Sequence, residues 1–170
     1  MLNPVADSLP YPIVEFGRKD FGSAIRLCGV YSGTHGKIKI VYRCFFDYFN
    51  LKKIKDTVTA DLILGITVCE IKHLILLRDT IYKLGVTPSI KENFSETVLP
   101  NKKRALSPEK IIIDLIALEL VYIEEMKKLL KDIKNELVKR VIERIIKDDE
   151  LHLKTLKSRL NAFGKFNRAD

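Results

Sequence analysis

Between Val86 and Leu106 the sequence shows no hydrophobic periodicity, whereas long stretches on both sides repeat apolar residues at the helical period. A long aperiodic connection between two helix pairs is what a bundle needs for its second and third helices to run parallel. The first pattern runs from about Phe21 to Asn50, and the basic link "LKKIK" leads to a second from about Thr57 to Leu84, closed by Gly85 and Pro88. Ser107 followed by Pro108 is an N-cap and first-turn pair for the third. Phase separates the third from the fourth. Continued as one helix, the stripe around Glu119 would leave Asp149 about 120° off its face. Yet Asp149 lies centrally on a stripe of its own with Val138, Ile142, Ile145, Ile146, Leu153 and Leu156. A turn within "KDIKNEL" resets the phase, and the fourth helix ends near Phe163. The expected architecture is all-α: an N-terminal arm over 1–20, a four-helix bundle with one long crossover over 21–163, and a polar tail over 164–170.

Composition agrees with a single packed domain, at 46% hydrophobic residues and only 8 Gly and 6 Pro in 170 residues. The three cysteines, Cys28, Cys44 and Cys69, have no metal-ligand spacing, and their odd number argues against a disulfide framework. With no signal-peptide pattern and no apolar run of spanning length, the expectation is a reduced, cytoplasmic protein without a membrane partner. The net charge of +8 is spread over outer helix faces among acids, and no nucleic-acid motif accompanies it. Solvated faces, not polyanion binding, are therefore expected.

Each stripe is interrupted by polar residues near its middle. On helix two, within "LILGITVCEIKHLILL", these are Glu70 and His73; on helix four, within "DDELH", Asp149 and His152. Residues three apart stand one above another on a helix, so a carboxylate oxygen and an imidazole nitrogen reach one ion. Helix three contributes Glu119 and helix one Lys37. Two acid-x-x-His pairs facing each other, with an acid from each remaining helix, form the dinuclear site of carboxylate-bridged bundles. A metal-free polar core and a metal site both satisfy this pattern. Tyr48, Tyr122, Cys44 and Cys69 are expected to be core groups, and Gly33 and Gly36 to serve close helix packing.

On these residues, and on "CEIKHLILL", "LELVYIEEMKKL" and "ERIIKDDELHLK", the chain resembles the ferritin-like superfamily, in particular its rubrerythrin and manganese-catalase-like bacterial members. The resemblance runs from "YPIVEFGRKD" to the end of helix four. It implies dioxygen or peroxide chemistry at iron or manganese, with Glu70, His73, Glu119, Asp149 and His152 on ligand positions, and a homo-oligomer, a dimer being favoured. Asp149 stands where the family usually has Glu. Lys37 stands where the family has helix one's glutamate ligand, and an ammonium has no lone pair to offer. His35 and Asp47 lie too far around the helix to replace it. Three carboxylates against one ammonium leave two negative charges, which one divalent ion neutralises. Two functions follow: a metal-binding oxidoreductase-like protein with a reduced site holding one Fe or Mn, or a metal-free, non-catalytic scaffold or interaction protein. A shell-forming, DNA-associated relative is compatible with the charge but not required by it.

Overall fold

The computed structural model describes residues 4–15, 17–89 and 107–166, with side chains as far as 163. It contains α1 (Phe21–Ser32), α2 (Lys37–Lys53), α3 (Thr57–Lys83), α4 (Pro108–Asp132) and α5 (Glu136–Phe166). Caps set most boundaries. Asp20, Asp56 and Ser107 each accept from the third residue beyond, satisfying an amide that the first turn leaves free. Gly85 takes the left-handed φ of 105° that ends α3.

The first bundle helix, expected to be continuous over 21–50, is two helices. The glycines make the break and do not serve helix packing. A Cβ on Gly36 would lie 2.7 Å from the Gly33 nitrogen and 2.9 Å from the Ser32 nitrogen, backbone atoms that cannot give way. Gly36 is instead the N-cap of α2, so Lys37 begins that helix. At its far end α5 continues past Gly164 to Phe166, beyond the expected stop near Phe163. The turn between α4 and α5 falls at 133–135, inside "KDIKNEL".

Together α1 and α2 pack along α3, and α4 packs along α5. Side-chain pairs fix the directions. Glu70 meets His152 while Thr59 meets Arg159, so α3 runs against α5. The tight turn before α5 sets α4 against α5 as well, and α3 and α4 are therefore parallel. This is the parallel arrangement that the expected crossover serves; the connection, residues 90–106, lies outside those described. The core is continuous, with Leu27, Ile40, Ile63, Ile66, Ile112, Met126, Ile142 and Leu156 almost fully buried. Among the described residues no helix is long and apolar enough to cross a membrane.

Candidate metal centre

Lys37, Glu70, His73, Glu119, Asp149 and His152 converge within the bundle, none more than 2% exposed. The Lys37 ammonium is 2.5 Å from Glu70 Oε2, and 2.9 and 3.0 Å from the two Asp149 oxygens, with the Tyr122 ring 4.1 Å away. Lys37 thus bridges two carboxylates from different helices, Glu70 and Asp149. Burial opposes its charge, but Asp149 and Glu70 hold its pKa well above the usual lysine value. Burial likewise raises the Glu70 carboxyl, yet Lys37 and the two histidines overcome it and hold Glu70 well below the carboxylate range. Asp149 goes the other way: burial raises it, Lys37 opposes, and Glu70 and Glu119 add to the rise.

Both histidines are fixed from behind. His152 donates through Nε2 to the Val5 carbonyl at 2.8 Å, and a carbonyl can only accept, so Nε2 carries the proton. His73 donates through Nε2 to Asp148 Oδ2 at 2.8 Å. Each ring then turns Nδ1 toward carboxylate oxygens. His73 Nδ1 is 3.3 Å from Glu70 and 3.4 Å from Asp149; His152 Nδ1 is 3.2 Å from Glu70 and 3.3 Å from Glu119. In a neutral ring Nδ1 would present a lone pair to those oxygens, which is repulsive. Each contact therefore needs a proton, on the ring or on the facing carboxyl, or a cation. Burial disfavours charging the rings, but their hydrogen-bond partners raise both well above the ordinary histidine value: Asp148, Cys69 and Glu70 for His73, and Cys69, Glu119 and Glu70 for His152.

Four ligand atoms, one each from Glu70, Glu119, Asp149 and His152, lie within 4.8 Å of one another. Glu70 Oε1 and Glu119 Oε2 are buried without a hydrogen-bond partner. An orphaned carboxylate oxygen of Glu70 facing His152 Nδ1, with a second orphaned oxygen on neighbouring Glu119, is a donor set that fits a hard divalent cation. His35 and Asp47, set aside from the sequence, are elsewhere: His35 pairs with Glu125, and buried Asp47 pairs with Arg43. Tyr122 is a core residue whose hydroxyl donates to the Val30 carbonyl at 3.3 Å.

Sequence reasoning missed the layer behind the histidines. Asp148 accepts from His73, from the Tyr11 hydroxyl at 2.8 Å and from the Asp7 amide at 2.7 Å, and pairs with Arg144 at 2.6 Å. Cys69 Sγ lies 3.5 Å from His73 Nε2, so this cysteine is a neighbour of the centre as well as a packing group. With His73 and Asp148 it forms a second potential donor group. The doubled acid in "DDELH" was the available signal for Asp148.

A crossed-over helical bundle enclosing a carboxylate–histidine centre is the ferritin-like fold, and this chain has it. Two solved structures of KatB, a manganese catalase from Anabaena, match with a TM-score of 0.73 at 16% and 15% identity. They cover 94% and 93% of this chain and 80% of the KatB chain. No protein-family model matches the sequence, and no curated protein does.

Proposed function

We propose that this chain is a ferritin-like metal protein that holds one divalent ion, manganese or iron, through Glu70, Glu119, Asp149 and His152, with the Lys37 ammonium in place of a second ion. The observation that carries this reading is His152 Nδ1 set 3.2 Å from Glu70 Oε1, a buried carboxylate oxygen without a hydrogen-bond partner, beside Glu119, whose buried Oε2 is also without one. Manganese is favoured because solved structures that share this fold include a manganese catalase. When bound, such an ion would supply one-electron exchange with peroxide or dioxygen. The protein's part is to orient His152 through Val5 and His73 through Asp148, exclude bulk water, and keep Lys37 fixed on Glu70 and Asp149.

A metal-free scaffold is the second reading, favoured by Lys37 itself. After the ammonium, two negative charges remain, and two protons shared among His73, His152 and Asp149 neutralise them as well as one divalent ion does. The two readings compete for the same sites, so an ion must displace protons to bind. Elemental analysis of protein purified without chelator should give one manganese or iron per chain. Affinity for Mn²⁺ should rise between pH 5.5 and 7.5, by about tenfold per pH unit for each proton displaced. Absent metal, together with no Mn²⁺ binding at pH 7.5, would leave the scaffold.

Self-association as a dimer is proposed on separate grounds. Tyr42, Phe46 and Phe49 lie on the outer face of α2, and each is about half exposed or more. Sedimentation velocity should show a species of twice the chain mass, and Phe46→Glu should reduce it to the monomer.

A further inference from the structure

The segment before α1 has no helical pattern, yet its polar atoms are spent on the centre. The Val5 carbonyl takes the His152 proton, while the Val5 amide donates to the Gly65 carbonyl of α3 at 3.1 Å. The Asp7 amide and the Tyr11 hydroxyl both donate to Asp148, which holds His73. One side chain gathers these contacts. Arg144 of α5, 6% exposed, donates to the Leu9 and Asp7 carbonyls at 3.1 Å each, lies 4.3 Å over the Tyr11 ring, and pairs with Asp148.

From this geometry we infer that the arm over residues 5–11 is a latched cover that forms part of the centre, and that Arg144 is the positioning residue that latches it. The planar guanidinium suits the task because its fork serves two backbone carbonyls and a carboxylate at once, whereas a lysine ammonium is a single point charge. With the arm in place, both imidazoles are held with Nδ1 inward. If the arm lifts, His152 loses the Val5 carbonyl that accepts from Nε2, and Asp148 loses two of the donors that fix it under His73, so His152 is no longer held from behind and the ion's route to solvent opens. Partners behind a ligand typically change metal affinity by about 10- to 100-fold. The release half of this inference rests on the metal reading above; the latch itself does not.

Arg144→Lys in the full chain separates the latch from general stability, because it keeps a cation beside Asp148 and removes the fork. In the metal-free protein, the Val5 and Asp7 amides should exchange hydrogen at least about tenfold faster than in the parent, with amides in the middle of α3 and α5 unchanged. In protein loaded with Mn²⁺, loss of the ion to EDTA should accelerate by about tenfold or more. Tyr11→Phe, which deletes a single hydroxyl, should shift both readouts in the same direction by less, and it serves if the Arg144 variant does not fold. Arm amides that already exchange freely in the parent would overturn the latch. An arm that loosens in Arg144→Lys while ion release stays within about twofold would overturn its role at the centre. If the parent takes up no Mn²⁺, the metal reading fails, and the exchange comparison still decides the latch.

Discussion

Replacing Lys37 by glutamate is expected to raise the metal content from one ion per chain to two, and to make the metal-free protein markedly less stable. The ammonium is fully buried, 2.5 Å from Glu70 and 2.9 Å from Asp149, on the side of those carboxylates that His73 Nδ1 also faces. A carboxylate introduced there removes the one fixed positive charge and adds a fourth negative one. Breaking a buried pair costs about 3–5 kcal/mol, or about 10 °C in Tm for a chain of this size. With four carboxylates the centre is neutral when two divalent ions occupy it. Metal should therefore restore more stability to the variant than to the parent, because an ion that binds only the folded state stabilises it. Metal analysis, with Tm measured with and without Mn²⁺, reports both effects. Unchanged stoichiometry and no metal-dependent gain would mean that the ammonium does not occupy an ion's position.

The second large effect is expected at Asp148. Its carboxylate collects His73, Arg144, the Asp7 amide and the Tyr11 hydroxyl, all at 2.6–2.8 Å. Asparagine offers one acceptor oxygen and turns donors toward donors, leaving Arg144 uncompensated; the cost should be about 3–5 kcal/mol. The same residue shapes the acid limb of stability. Burial raises its pKa, but His73, Arg144, the Asp7 amide and Tyr11 hold it far below the ordinary carboxylate value. A depressed folded pKa gives a contribution that is complete above the unfolded value of about 3.9 and is lost as pH falls from there toward the folded value. The parent should lose stability steeply below about pH 4, and Asp148→Asn should be weaker at neutral pH with a flatter acid limb. Chemical denaturation between pH 7 and pH 2.5 measures both. Parallel curves for parent and variant would remove Asp148 from the acid response.

The stripes made the bundle legible because each helix buries one face, and phase alone located the turn between α4 and α5. Phase could not locate the break between α1 and α2. Val30 and Lys37 are seven residues apart, about 700° or nearly two full turns, and both face inward, so the stripe continues in phase across the gap. The residues of the candidate centre were legible as polar interruptions of apolar faces. Asp148 was not, because it lies about 100° from Asp149, and a single stripe has one centre. On α5 the buried surface is wider than a stripe, since Arg144, Asp148, Asp149 and His152 are all covered. Part of that cover is the arm, whose contacts are backbone carbonyls, an amide and one hydroxyl, groups that no periodicity announces.

Anomalous diffraction at the manganese edge, from crystals grown with Mn²⁺ above pH 7, tests the single-ion centre most directly. The expected result is one peak per chain, bounded by Glu70, Glu119, Asp149 and His152, with Lys37 still on Glu70 and Asp149. No peak among those four residues, or two peaks with Lys37 displaced from its carboxylates, would contradict an ion and an ammonium sharing one site.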